Sequence, residues 1–145
     1  MLIRRLTPND VAVLERLAEE DPDDDDDDDD APAPGSAAAL LADPSVLVWG
    51  AFDGEVPIGM LHCVTIRKHA ARPLELLLYD VGVRERDRRR GVGRALLDAM
   101  RAWMKEHAVS EVWVLADNAG AVAFYESCGF ARGDAERAVY MTREN

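Results

Sequence analysis

Residues 79–97 read YDVGVRERDRRRGVGRALL. An apolar strand ends at Val83, a charged turn follows, and Gly91 and Gly93 open a helix. The strand extends back to Leu74 and is apolar on both faces for most of its length, as a central strand requires. Beyond the glycines, Val92, Leu96, Leu97, Met100, Trp103 and Met104 share one broad helical face, to about His107. The first N–H groups of such a helix have no internal partner, and the helix dipole adds positive potential there. Glycines let a ligand approach the backbone closely. The segment is therefore a candidate pyrophosphate site, with Arg88, Arg89, Arg90 and Arg94 adding charge. The alternative is a basic, solvated turn before an amphipathic helix. A dinucleotide-binding turn would want a third glycine and a P-loop would want Gly-Lys-Ser/Thr, and neither is present.

Upstream, Leu2–Leu6 is a strand candidate. Thr7 caps a helix with Pro8 at its first position and Asp10 in its first turn, followed by Val11, Leu14, Leu17 and Ala18 on one face. Pro22–Gly35 breaks all periodicity, joining Asp23–Asp30 to an Ala-Pro-Ala-Pro-Gly stretch, and reads as a self-repelling loop. Ser36–Leu41 is a short helix ended by Asp43 and Pro44. Val46–Phe52 and Val56–Arg67 form a hairpin through Asp53, Gly54 and Glu55, and the chain turns again at Ala70–Pro73. Downstream, Glu111–Ala116 is a strand and Asn118–Cys128 a helix stopped by Gly129. Phe130–Arg132 and Ala138–Thr142 are expected to be short terminal strands. The order of these elements predicts an α/β (α+β) fold, a central mixed sheet with helices on both faces. One domain over residues 1–145 is expected, with the acidic loop 22–35 inside it.

The net charge of −11 is unevenly placed. Residues 1–50 hold 14 Asp and Glu against 3 Lys and Arg, and the remainder holds 14 of each. Nucleic acid and anionic membrane are therefore disfavoured, and cationic partners favoured. No apolar stretch approaches a membrane span and no secretory leader is expected. Cys63 and Cys128 make no disulfide framework, which suggests reduced thiols and a cytoplasmic location. His62, His69 and His107 lack metal-ligand spacing, so no metal is expected. Trp49, Trp103 and Trp113 read as core.

Asn118 is a good N-cap, and Ala121, Phe124 and Tyr125 follow at helical spacing. Taken alone, Tyr125 is a core-edge tyrosine. Together the two segments resemble the GNAT superfamily of acetyl-CoA-dependent N-acetyltransferases. Its Gln/Arg-x-x-Gly-x-Gly/Ala pattern is matched by Arg88, Gly91 and Gly93. Its later Asn-x-x-Ala…Tyr…Gly-Phe element is matched by Asn118, Ala121, Tyr125, Gly129 and Phe130. The resemblance runs from Leu2 to about Met141 and is most specific over Tyr79–Phe130. It implies the GNAT fold, with acetyl-CoA as co-substrate. Backbone amides over Arg89–Arg94, Val92 included, would hold the coenzyme pyrophosphate. The backbone of Val81 and Val83 would pair with the pantetheine arm as an added strand does. The backbone near Val81 would polarise the thioester carbonyl. Tyr125 would protonate the departing thiolate. Asn118 and Ala121 would lie beside the coenzyme. Gly82 stands where many members have alanine. A homodimer is common in the superfamily.

A narrower resemblance joins Leu77–Val83 to the Tyr-Asp-Leu-Ala-Val stretch of GNAT-type aminoglycoside 3-N-acetyltransferases. Leu115–Asp117, residues 121–125 and Trp49–Gly59 fit the same enzymes, although the loop after Asp117 is shorter here. It implies a polycationic amine acceptor, which the charge balance independently favours. Asp80 is the candidate base, because an amine must be neutral to attack, and Glu75 is a second. Asp80 could instead be a strand-end carboxylate bonded to nearby backbone. Tyr79, Asp117 and Asp28, Asp29 and Asp30 are candidate acceptor contacts. Asp117 could instead cap the helix, and Asp23–Asp30 could be a solvated loop. Two rivals remain: a GNAT enzyme for another amine (a polyamine, a protein amino terminus or a lysine) and a non-catalytic acyl-CoA- or cation-binding module.

Overall fold

The computed structural model describes residues 1–20, 33–71, 73–134 and 138–145, which fall into two units, Met1–Val114 and Leu115–Asn145. The first holds β1 (Leu2–Arg5), α1 (Val11–Glu19), α2 (Ser36–Ala42), β2 (Val46–Asp53), β3 (Val56–Ile66), β4 (Glu75–Val83), α3 (Val92–Glu106) and β5 (Val112–Trp113). The strands lie in sequence order in one sheet. Successive pairs are antiparallel except β4 and β5, which are parallel, so the expected mixed sheet is present.

The helix after β1 begins as expected, through a reciprocal cap. The Thr7 N–H donates to Asp10 Oδ2 at 2.7 Å and the Asn9 N–H donates to Thr7 Oγ1 at 3.3 Å. The first turn, Pro8–Asp10, is a tighter 3-10 turn that leads into α1. Arg4 grips the same Asp10 carboxylate in a two-pronged fork at 3.0 and 2.9 Å, tying the end of β1 to the start of α1.

The pleat sends alternate side chains to opposite faces. On one face, Leu6, Val48 and Phe52 pack with Val13 of α1 and Leu40 and Leu41 of α2. On the other, Trp49 meets Trp103 of α3 edge-on at 6.3 Å, and Cys63 Sγ lies 3.5 Å from Met100 Sδ. Burial pushes the Cys63 thiol up to about 12, so it is an inert core group. Helices thus cover both faces, as the element order predicts.

The second unit holds α4 (Ala119–Ser127), close to its expected bounds. Two expectations are corrected. The strand expected at Glu111–Ala116 is reduced to the two residues of β5. The terminal strands expected at Phe130–Arg132 and Ala138–Thr142 are absent among the described residues. Val139, Tyr140 and Met141 stay 78%, 75% and 85% exposed, so apolar pattern alone does not make a strand there. A strand needs a partner ladder for its N–H and C=O groups, and local propensity cannot supply one.

The Asp10 carboxyl is held down at about 2, chiefly by the Arg4 hydrogen bonds. A depressed carboxyl stabilises the fold above its ordinary value and loses that contribution as pH falls. Asp10→Ala is expected to lower stability by about 1–2 kcal/mol at pH 7, the usual size for a lost cap. The deficit should shrink as pH falls from about 4 toward 2, as read by urea unfolding.

Candidate functional site

β4 pairs with β3 along its length, from Ile66↔Glu75 to Gly59↔Val83. With β5 it pairs only at Leu76↔Val112 and Leu77↔Trp113. Beyond Leu77, no strand pairs with that second edge among the described residues. The β3–β4 register shifts between His62 and Cys63, which places Asp80 and Leu78 opposite consecutive residues and leaves Tyr79 as a bulge. Tyr79 is 69% exposed there.

Antiparallel pairs alternate between bonding across the ladder and facing away from it. The Arg84 N–H donates to the Ile58 carbonyl at 2.9 Å. Counting back, Val83 and Val81 direct their N–H and C=O groups away from β3, toward the edge that β5 leaves open. Arg88 Nε donates to the Val83 carbonyl on that side at 3.2 Å. A Cβ at Gly59 would lie 2.9 Å from the Gly82 carbonyl oxygen and 3.2 Å from Val92 Cγ1. Gly59 therefore lets β3, β4 and the start of α3 close together.

The open edge leads into the β4–α3 turn. Gly91 caps α3 with φ +79°, and no side chain caps the helix. Ala95 bonds back to Gly91 at 3.0 Å, and the amides of Val92 and Gly93, which lie ahead of it in the first turn, have no backbone acceptor within the helix. Arg89 holds φ +63°, an unusual conformation for a residue with a side chain. Arg89 and Arg94 are exposed on this turn. Arg90, expected to add free charge, instead donates to Asp87 Oδ1 at 2.7 Å.

Asp87 is the one buried charged residue among the described residues, at 5% exposure. Its Oδ2 accepts from Arg84 Nε at 2.8 Å. Burial opposes ionisation of Asp87, but the two guanidinium groups outweigh it and hold its carboxyl below the ordinary range. Arg84 Nη1 also meets Glu20 Oε2 at 3.2 Å, and Arg86 reaches that oxygen at 3.8 Å. The end of α1 is thereby tied to the turn. A sequence reading could miss Asp87, because alternating Arg, Glu and Asp normally marks a solvated loop.

Asp80 stands exposed beside the bulge, directly opposite His62. Glu75 lies at the other end of β4, ion-paired to Lys68 at 2.7 Å. Five residues of strand separate the two carboxylates by roughly 16 Å. The structure therefore groups Tyr79, Asp80 and Val81 at the open edge and sets Glu75 apart. His62 lies on β3. Its ring lies 5.1 Å from that of Tyr79, and its Nε2 is buried without a hydrogen-bond partner among the described residues. Burial lowers its pKa, which favours the neutral ring. Only the register shift brings it opposite Asp80. Asp28, Asp29 and Asp30 lie outside the described residues.

In the second unit, Asn118 Oδ1 accepts the Ala121 N–H at 2.8 Å, so Asn118 rather than Asp117 caps α4. Asp117 is exposed and accepts from Asn118 Nδ2 at 3.1 Å. The helix ends in a paired turn. Gly129, at φ +94°, donates its N–H to the Glu126 carbonyl at 3.1 Å, and the Phe130 N–H reaches the Tyr125 carbonyl at 3.0 Å. Tyr125 is 8% exposed, with the Phe124 and Phe130 rings each 5.3 Å away. The glycine and the phenylalanine after it thus fix the tyrosine.

A model of the acetyltransferase (GNAT) family matches residues 10–130. The [ribosomal protein bS18]-alanine N-acetyltransferase of Escherichia coli (strain K12) is 36% identical over 72 residues, 48% of this chain and 49% of that protein. The match thus spans about half the length of that curated relative. An aminoglycoside acetyltransferase from an uncultured soil metagenomic sample, in complex with sisomicin, superposes with a TM-score of 0.85 at 22% identity, covering 99% of this chain and 96% of that one. Aminoglycoside N-acetyltransferase AAC(6')-Iy in complex with CoA gives a TM-score of 0.77 at 15% identity, covering 99% of each chain.

Two glycine substitutions test the geometry. Gly59→Ala is expected to cost about 1–3 kcal/mol through overpacking, and Gly91→Ala about 1–2 kcal/mol through its left-handed backbone. Gly133, with nothing within 4 Å of its added Cβ, should tolerate alanine within about 0.5 kcal/mol. Urea unfolding of the three variants measures the contrast.

Proposed function

Because this chain belongs to the acetyltransferase (GNAT) family, we propose that it transfers the acetyl group of acetyl-CoA to an amine of a polycationic acceptor, the 3-amino group of an aminoglycoside. The observation that carries the reading is the open edge of β4 running into the uncapped start of α3. An extended amide-bearing arm suits the first, and a pyrophosphate suits the second. The residues present therefore fit acetyl-CoA. Residues 1–145 act as one catalytic domain in this reading.

The amides over Arg89–Arg94 hold the pyrophosphate, and Val81 and Val83 pair with the pantetheine arm. Asn118 and Ala121 lie beside the coenzyme. Bound acetyl-CoA supplies a thioester carbonyl carbon, at which the C–N bond forms and the C–S bond breaks. The Val81 N–H stabilises charge on the carbonyl oxygen. Asp80 takes the proton that the ammonium must lose, with Glu75 the more distant second candidate. Tyr125 gives a proton to the departing sulfur. Tyr79, Asp117 and Asp28–Asp30 orient the cationic acceptor.

The aminoglycoside reading is supported by the likeness at Leu77–Val83, by the acidic first third of the chain, and by a similar fold that binds sisomicin. A second reading, acetylation of an N-terminal alanine on a protein, is favoured by the 36% identity to the bS18-alanine enzyme.

Coenzyme-thiol release should be measured with aminoglycosides that have or lack the 3-amino group, with spermidine, and with an alanine-initiated peptide. Turnover confined to 3-amino compounds is the expected result. Turnover with the peptide alone would establish the second reading, and coenzyme binding without turnover would indicate a binding module. Asp80→Ala and Tyr125→Phe should each lower kcat by about 10²-fold, the scale of a lost proton-transfer group. The Asp80→Ala deficit should narrow at high pH, where the amine is already neutral. Replacing Asp23–Asp30 by Asn should raise the acceptor KM, most at low salt, and leave the acetyl-CoA KM nearly unchanged.

A further inference from the structure

The structure carries a buried ion cluster at the turn that the proposed reaction does not use. Burying a carboxylate is costly unless it is paired and hydrogen-bonded. A hydrophobic residue at position 87 would avoid that cost, so the charge must supply something that packing would not.

The placement of its partners shows what that is. Arg84 is the first residue after β4, and Arg90 immediately precedes Gly91, the cap of α3. Asp87 sits midway and holds both, at 2.8 and 2.7 Å. Its own N–H donates to the Arg84 carbonyl at 2.9 Å, and the Arg88 N–H donates to the Glu85 carbonyl at 3.2 Å. Within this span Arg89 adopts φ +63°. Such a backbone persists only where its surroundings over-determine it. The two ion pairs grip the chain on either side of Arg89.

We propose that Asp87 is a positioning residue for the coenzyme: by clamping Arg84 and Arg90 it fixes the 84–91 backbone so that the first amides of α3 converge on the pyrophosphate. This rests on the reading above, in which the turn holds acetyl-CoA. The clamp also spends the charge of Arg84 and Arg90 internally. The backbone amides, which have fixed direction, then orient the anion, and the exposed Arg89 and Arg94 side chains add charge beside them.

Two physical effects predict opposite signs. Asp87→Asn preserves shape and removes one negative charge beside an anion site, while Arg84 keeps Glu20 as a partner, so net charge alone would tighten coenzyme A binding. Loss of the clamp would weaken it. Calorimetry with coenzyme A, alongside urea unfolding, separates them. Wild type should bind, and Asp87→Asn should bind about tenfold more weakly, the scale of a lost charge-assisted contact. Arg84→Gln, which leaves the Asp87–Arg90 pair, should show an intermediate loss and reads the clamp if Asp87→Asn fails to fold. Met104→Ala, a core truncation toward the far end of α3, should lower stability and leave coenzyme affinity unchanged. Wild-type or tighter binding by Asp87→Asn would overturn the proposal, as would an equal loss in Met104→Ala. Failure of the wild type itself to bind coenzyme A would overturn the functional reading, and the proposal with it.

Discussion

Among the described residues, β4 is paired along one edge from end to end, apart from the Tyr79 bulge, and along the other for two residues only. Backbone N–H and C=O groups are obligatory hydrogen-bonding groups, so an edge left open in mid-sheet demands water or a ligand. The bulge at Tyr79 sets which residues meet that edge. It shifts the alternation by one, so that Val81 and Val83 present their backbone outward and Asp80 stands opposite His62. The short β5, the close approach at Gly59 and the start of α3 all take their significance from this strand.

The electrostatics of the first unit are arranged by pairing more than by net charge. The β4–α3 turn is rich in arginine, yet two of its guanidinium groups are held by Asp87, and Arg88 is held by the Val83 carbonyl. What meets an anion is a set of directed amides with the helix dipole behind them, flanked by the exposed side chains of Arg89 and Arg94. Arg84 further connects the turn to Glu20, at the end of α1, from which the acidic segment departs. In the second unit the same economy is local. Asn118 closes one end of α4, and Gly129 with Phe130 closes the other. Tyr125 is held between two aromatic rings.

Features that depend on neighbours in the chain were legible without coordinates. The helix of residues 92–106 follows from apolar spacing, its start from Gly91, and the α4 cap from Asn118, because each is decided within one or two turns of backbone. The hairpin of β2 and β3 is equally local. The mixed sheet with helices on both faces follows from element order, since each apolar face must be covered.

What resisted reading depends on partners distant in sequence. The shortness of β5 and the absence of strands at 130–132 and 138–142 reflect ladder partners that propensity cannot supply. The pairing of His62 with Asp80 depends on a one-residue slip, and such a slip reverses every facing side chain after it. The same applies to charge. In the string 84–90 every arginine looks alike, and only the contacts of the buried Asp87 carboxylate separate the two that it holds from the others. Local backbone rules thus determine where the helices start and stop, whereas long-range pairing and desolvation decide which groups are left to bind.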